Sequence, residues 1–450
     1  MIVVKFGGTS VGDADAIQRA AEIVRGRMRR DPIVVVSAMA GVTNELLSLA
    51  DQASHGHLIG ALRAVEGLRD RHLAAAETLL GSDDGDVAGE LSATFDELAS
   101  LAEAISILGH ITPRSLDAIG ALGEQLSAPL LVAALDRVGL PVDLVDARRV
   151  IMTDDTFTRA EPLPDAIADR ARTALLPLVR AGRVPVLGGF IGATLQGITT
   201  TLGRGGSDYS ASLVGAALRA DAIEIWTDVD GMLTADPRVV PGARLIERIR
   251  FDEASELASF GAKVLHPSTI APAVQLGIPV YVFNSRNAGG TGTEITFDAP
   301  RCAVRAVAGK TGIAVVKVRS PRMLLAHGFL RTVFEVFAKH RVSVDVVATS
   351  EVSVSLTVDE STQLEGVISD LSALGDVSIE RSRGIVALVG AGLSDDGAAM
   401  ARALTAIGSV RIHMLSLSAT GINLTIILDA GEVGAVMGRL HDAFFPGGCA

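Results

Sequence analysis

The chain has little of what several function classes require. Only two of its 450 residues are cysteine, Cys302 and Cys449, which fits a reducing, cytoplasmic setting and supplies no metal cluster. Aromatic residues make up 4%, too few for the stacking platforms that grip single strands. Positive charge is in deficit: 40 Lys and Arg against 52 Asp and Glu leave a net charge of -12, which disfavours a nucleic-acid partner. No apolar run approaches the roughly 20 residues of a membrane helix, so no membrane partner is expected. The start, Met1-Ile2-Val3-Val4-Lys5, reads as a buried strand and not as a signal peptide. The nine histidines show no metal-ligand spacing, and no Ser/His/Asp nucleophilic arrangement can be recognised.

What is present is an alternation. Short apolar runs at 2–4, 32–37, 142–145, 184–187, 222–226 and 280–283 are separated by amphipathic stretches such as 14–29, 91–109 and 116–137. Strands apolar on both faces and spaced by helices predict an α/β fold, a mostly parallel sheet with helices on each side. The polar stretch 81–86 reads as a turn within a helical region. Near 297–312 the texture changes. From there, strands at 312–318, 342–349, 352–358 and 377–380 alternate with helices at 329–340 and 363–374. The order then repeats with strands at 384–389, 410–417 and 422–428 and helices at 396–407 and 432–445. This is a pair of ferredoxin-like units, suited to packing or to ligand sensing. A length of 450 residues is itself too great for one ordinary core.

Two glycine-rich loops carry the chemistry. The run Thr199-Thr200-Thr201-Leu202-Gly203-Arg204-Gly205-Gly206-Ser207-Asp208 precedes a helix, and Lys5-Phe6-Gly7-Gly8-Thr9-Ser10 follows the first strand. Glycines let backbone N–H groups converge on an anion, and a helix start adds partial positive charge. Lys5 precedes its glycines, so the loop matches neither the P-loop nor the dinucleotide fingerprint. The bland alternative is a solvent-facing lysine at a strand end. Arg204 has the fork geometry for a carboxylate. Asp208 is placed to orient Lys5 or to help hold a phosphate-bound Mg²⁺; its bland role is a helix cap. Glu124, after Gly120-Ala121-Leu122-Gly123, suits recognition of an amino group, although a lone glutamate on a helix is more often solvated. Trp226-Thr227-Asp228-Val229-Asp230-Gly231 ends a strand in acids, as ligand crevices of open sheets do.

With these segments in order, the chain resembles the aspartate kinases of the amino-acid kinase fold. Further carriers are Ser37-Ala38-Met39-Ala40-Gly41-Val42-Thr43-Asn44, Gly188-Gly189-Phe190-Ile191-Gly192, Ala235-Asp236-Pro237-Arg238 and the run 260–267. The resemblance spans essentially the whole chain, and the two C-terminal units look like the paired ACT domains of such kinases. It implies a kinase domain at 1–300 and ACT domains at 301–380 and 381–450. It also implies ATP-dependent phosphorylation of L-aspartate to 4-phospho-L-aspartate, the entry to lysine, threonine and methionine synthesis, with Mg²⁺ carried mainly by the nucleotide. Implied roles are Lys5, Arg204 and Asp208 in transfer, and Thr43, Glu124, Phe190, Arg204 and Ser207 around aspartate. Lys5, Gly7, Gly8, Ser37, Thr227, Asp228, Arg238, Lys263 and Val264 fall around the nucleotide.

The segments 146–160 and 343–354 look most like the lysine-sensitive branch. That likeness implies a lysine or threonine effector at an interface between first ACT units of two chains, in a homodimer or a homotetramer. Met323, Gly328, Phe329, Leu330, Val344, Asp345, Thr349 and Ser350 would line it. Two departures stand out: Leu233 where the family often has tyrosine near the nucleotide, and Ala326 where lysine-sensitive relatives tend to have serine. The rival readings are a kinase acting on glutamate or a carbamate-like substrate, which does not predict the paired units, and a non-catalytic sensor on a kinase scaffold. A bifunctional kinase–dehydrogenase is disfavoured, since no dinucleotide-binding pattern follows the repeats.

Overall fold

The computed structural model describes residues 1–81, 85–203, 205–260, 265–361 and 363–446. Arg204, Lys263, Val264, Cys449 and most of the polar turn expected at 81–86 lie outside the described residues. The chain forms two compact units, Met1–Met232 with Val264–Phe297 and Leu233–Lys263 with Asp298–Ala450.

The first unit begins with the strands β1 (Ile2–Phe6), β2 (Pro32–Val36), β3 (Val142–Leu144), β4 (Met152–Thr153), β5 (Val184–Gly188), β6 (Ile191–Thr194), β7 (Thr199–Thr201) and β8 (Ala222–Thr227). Its main sheet runs β3-β5-β2-β1-β8 in parallel and continues through Val280–Asn284, parallel to β8, to the antiparallel strand Thr293–Ile295. β4, β6 and β7 form a separate small sheet.

β1, β2 and β5 are buried along their whole length, as strands covered on both faces must be. Their side chains alternate. Ile2, Val4 and Phe6 join Val34, Val36, Ile17, Val24, Leu126 and Leu130 in one core. Val3 and Lys5 point the other way, where the helix Gly206–Leu218 approaches closely enough that a Cβ on Gly215 would meet Ile223 at 2.7 Å and Val3 at 3.7 Å. The expected mostly parallel sheet with helices on both faces is thus the one that forms.

The helix Pro113–Arg137 runs through the core beneath β2, β3 and β5. Thr112 caps it, its hydroxyl accepting the Ser115 N–H at 3.1 Å, and Pro113 occupies its first turn. By length and composition it could cross a membrane, but most of it is buried inside the protein, as the core helix of a layered fold is.

In the second unit two 14-residue strands, Ala306–Arg319 and Asp376–Val389, pair antiparallel along their length. The sequence predicts shorter strands there. Gly312 at φ 74° and Ser382 at φ 55° break the apolar pattern, yet the register shifts around Ile313 absorb the irregularity as a bulge and the strands continue. Each half of this ribbon serves a different core. Val307, Val386 and Leu388 cluster with Leu424, Ile426, Val436 and Leu440. Ala314, Val316 and Val318 cluster with Val333, Phe337, Leu356 and Val367.

Candidate active site

Because the strands are parallel, the C-terminal ends of β1, β2, β5 and β8 share one edge of the sheet, the usual place for a ligand. A cleft of about 890 Å³ opens there, all of it within the first unit. Lys5 reaches it from the end of β1, on the face opposite Val4 and Phe6. The residue is 7% exposed, and Nζ lies 2.6 Å from Asp208 Oδ1 in the first turn of Gly206–Leu218. A buried ammonium needs such a partner, and the pair holds the lysine in one place.

The loop after Lys5 is tight. The Gly7 N–H donates to the Trp226 carbonyl at 2.9 Å, so it extends the sheet and is not free for an anion. The next N–H groups open the short turn Gly8–Val11 and have no partner within it. Gly8 itself is compulsory: a Cβ there would sit 2.9 Å from the Ala38 carbonyl oxygen. Ser37 continues β2, its N–H donating to the Phe6 carbonyl at 3.1 Å, and Thr43 opens the helix Val42–Ser54. Both line the cleft.

Glu124 is turned inward, 3% exposed, with Oε2 lacking a hydrogen-bond partner among the described residues. Burial pushes its carboxyl up to about 8, against the pull of the Ala38 N–H, its own N–H and the Lys5 charge. A buried carboxyl with an unmet oxygen, aimed into a cleft, is the chemistry that receives an ammonium group.

Phe190 forms the facing wall in a left-handed backbone conformation, φ 64°. Its N–H donates to Ser210 Oγ at 2.9 Å, and its carbonyl accepts the Leu202 N–H at 3.0 Å. Those bonds hold a conformation that an aromatic residue rarely adopts. The ring lies against Gly206, where a Cβ would come within 2.5 Å. Ser207 and Asp208 follow on the same first turn.

The cleft therefore gathers Lys5, Gly8, Ser37, Thr43, Glu124, Phe190, Ser207 and Asp208 from the sequence-predicted set. Thr227 and Asp228 lie at the end of β8, the threonine hydroxyl 3.2 Å from the Asp228 carboxylate, and neither lines the cleft. Arg238 belongs to the second unit, paired to Asp236 at 2.7 Å and largely exposed. Sequence reasoning missed Asp117 and Thr158, which also line the cleft. A signal existed: Asp117 and Glu124 are seven residues apart on one helical face, both acids in an otherwise apolar stretch.

Of the residues expected around an effector, Met323, Gly328, Phe329 and Leu330 lie on the turn and helix that follow Ala306–Arg319. Val344, Asp345, Thr349 and Ser350 lie on or beside the strand Val347–Thr349. Asp345 already has a cation near it, Lys310 Nζ at 3.5 Å, and the same amine pairs with Asp359 at 2.7 Å.

Residues 1–284 match the model of the amino acid kinase family. Over its whole length the chain is similar to lysine-sensitive aspartokinase 3 of Escherichia coli, 38% identical with 99% of each chain covered. It is 34% identical to the chloroplastic aspartokinase 3 of Arabidopsis thaliana, covering 98% of this chain and 81% of that one. Among solved structures, E. coli aspartokinase III bound to aspartate and ADP superposes with a TM-score of 0.85 at 38% identity, over 99% of this chain and 100% of the other. The lysine- and aspartate-bound form of the E. coli enzyme gives 0.84 at 37%, over 99% of each chain. With likeness of this extent, in sequence and in fold, the chain belongs to the aspartokinase family, which phosphorylates L-aspartate with ATP.

Proposed function

We propose that the cleft at the end of β1 holds L-aspartate and the terminal phosphate of ATP together. The observation that carries this reading is the pairing of two unlike groups in one cleft: the buried Glu124 oxygen without a partner, and the Lys5 ammonium fixed by Asp208. Glu124 receives the α-amino group. Phe190 and Thr43 wall the acceptor, and Arg204, outside the described residues, is assigned to its α-carboxylate on the family resemblance. The side-chain carboxylate then faces the γ-phosphate. Lys5 stabilises charge on the transferring phosphoryl, and the N–H groups after Gly7 and at the start of Gly206–Leu218 add to it.

ATP brings Mg²⁺, which supplies charge neutralisation on the phosphate oxygens. Among the described residues no group of three or more His, Cys, Asp or Glu is placed as a separate metal site. Thr227, Asp228, Arg238, Lys263 and Val264 are assigned to the nucleotide on the family resemblance.

Feedback is assigned to the second unit. E. coli aspartokinase III has been solved with lysine as well as with aspartate, and a lysine effector at the Met323–Leu330 turn and the Val344–Ser350 segment is the reading we favour. We also assign ACT character to two modules of this unit, the first gathered on the core of Ala314, Val316 and Val318 and the second on that of Val307, Val386 and Leu388. A homodimer through these modules is supported by the exposed Leu324, Leu325, Leu330 and Phe334, apolar side chains that a partner chain would cover. The compartment is read as cytoplasmic from the cysteine usage.

The test is steady-state kinetics on two variants. Glu124→Gln raises KM for aspartate about tenfold or more while KM for ATP holds, the loss of one charged hydrogen bond. Lys5→Ala lowers kcat at saturating ATP by about a hundredfold or more. An unchanged aspartate KM in the first variant removes Glu124 from the acceptor, and normal turnover in the second removes Lys5 from transfer.

A further inference from the structure

Asp117 is an oddity of the core helix. It is 1% exposed, lies one turn before Gly120 and two before Glu124, and makes no ion pair among the described residues. Its carboxylate is spent on two other segments. It accepts the Thr158 N–H at 2.9 and 3.0 Å, the Thr201 N–H at 3.1 Å and the Thr201 hydroxyl at 2.6 Å. Burial pushes this carboxyl upward and those three donors pull it back.

Both segments are walls of the cleft. Thr158 is a β-branched residue at φ 71°, a conformation that costs free energy and persists only when its surroundings impose it. The Ala160 N–H donates to the Thr201 carbonyl at 2.9 Å, which ties the two segments together. They also meet the glycine loop: a Cβ on Gly203 would lie 3.1 Å from Arg159 Cγ and 3.3 Å from the Thr158 carbonyl oxygen. The Gly203 carbonyl in turn accepts the Gly206 N–H at 3.0 Å, starting the helix that presents Ser207 and Asp208. A continuous set of contacts therefore runs from one buried carboxylate, through a strained threonine, to the loop opposite Lys5.

We propose that Asp117 is a positioning residue for the phosphoryl acceptor: by holding Thr158 and Thr201 it fixes the wall of the cleft that leads into Gly203 and the Gly205–Asp208 turn. Its bonds go to the Thr158 and Thr201 N–H groups and the Thr201 hydroxyl, so its effect falls on how well aspartate is received. The nucleotide side of the cleft, from Lys5 to Gly8, makes no bond to it. This inference rests on the assignment of the cleft to aspartate proposed above.

The experiment is a double-mutant cycle in the full chain, with KM and kcat measured for each substrate at saturating levels of the other. In Asp117→Asn the amide keeps one acceptor oxygen but turns an NH₂ against backbone N–H groups. KM for aspartate is expected to rise about tenfold, more than kcat falls, with KM for ATP within about twofold of wild type. Glycine adopts φ near +70° without strain, so in a Thr158→Gly background the same change is expected to raise KM about threefold or less. Thr201→Val removes one donor without unfolding risk at Asp117, and its aspartate KM rises about threefold.

An equal rise in both KM values, an unchanged aspartate KM, or the same penalty in both backgrounds overturns the proposal. If Asp117→Asn does not fold, the Thr201→Val kinetics decide it alone. Glu124→Gln separates the two readings. If it raises the aspartate KM while Asp117→Asn does not, only the positioning role fails. If neither does, the acceptor assignment fails first.

Discussion

At the scale of single residues, the two ionisable groups most exposed to functional demand are held in opposite ways. Lys5 is given a permanent counter-ion, whereas Glu124 is left with an unmet oxygen and a carboxyl raised to about 8. The sign of the consequence can be worked out. A carboxyl with a raised value is neutral below it and ionised above it, and only the ionised form attracts an ammonium group. Aspartate binding near pH 7 therefore expels a proton from Glu124, and KM for aspartate falls as pH rises from about 6.5 to 8.5. Initial rates at several pH values check this, with Glu124→Gln expected to flatten the profile. A slope unchanged in the variant assigns the dependence to another group.

The same shift costs stability. In the unfolded chain the carboxyl ionises near its ordinary value of 4.5, but in the folded protein burial pushes this up to about 8. The cost is absent below pH 4.5, grows as pH rises and levels off above about 8. Glu124→Gln is expected to melt higher than wild type at pH 8, with the gap narrowing toward pH 5. Such a gap is the usual signature of a site kept reactive at the expense of the fold.

At the scale of elements, glycine separates structural tolerance from functional demand. Gly206 opens its helix with the Phe190 ring where a Cβ would go, at 2.5 Å. Gly67, in the middle of Leu58–Leu80, has nothing within 4 Å of the same position. Gly206→Ala is expected to push Phe190 aside, costing about 1–3 kcal/mol of stability and most of the activity. Gly67→Ala is expected to gain about 0.5–1 kcal/mol with activity intact. Thermal melts with an ADP-release assay distinguish these outcomes, and a fully active Gly206→Ala would mean that Phe190 is not a wall of the acceptor site.

These elements also show what could be read in advance. β1, β2, β5 and β8 were legible because buried parallel strands are nearly continuous apolar runs, and the glycine loops because a fold alone has no use for them. The seven-residue spacing to Glu124 marks the helical face of Asp117 but not its role. Its partners, the Thr158 N–H and the Thr201 N–H and hydroxyl, lie 41 and 84 positions away, and no local pattern marks a carboxylate whose role is to satisfy distant donors. The strain at Thr158 and Phe190 was equally hidden, since neither residue type announces a positive φ.

At the scale of the whole molecule, the effector site proposed for the second unit carries an internal ion pair. Lys310 lies on the stretch of Ala306–Arg319 that pairs with Gly384–Val389, while Asp345 and Asp359 flank the core of the first module. The Lys310 amine lies 3.5 Å from Asp345 and 2.7 Å from Asp359. An effector amino group that pairs with Asp345 meets a carboxylate already partly neutralised from within the chain. Such half-exposed pairs contribute little to stability, so either partner can be removed without loss of the fold. Asp345→Ala is then expected to raise the lysine concentration for half-inhibition about tenfold or more, with basal turnover unchanged. Lys310→Met frees Asp345 and is expected to shift the same value downward. Opposite shifts in the two variants tie the effector's ammonium to Asp345. Equal half-inhibition in both would move the contact to another residue of the Val344–Ser350 segment, and a chain that lysine and threonine leave unaffected would make the two modules an assembly device only.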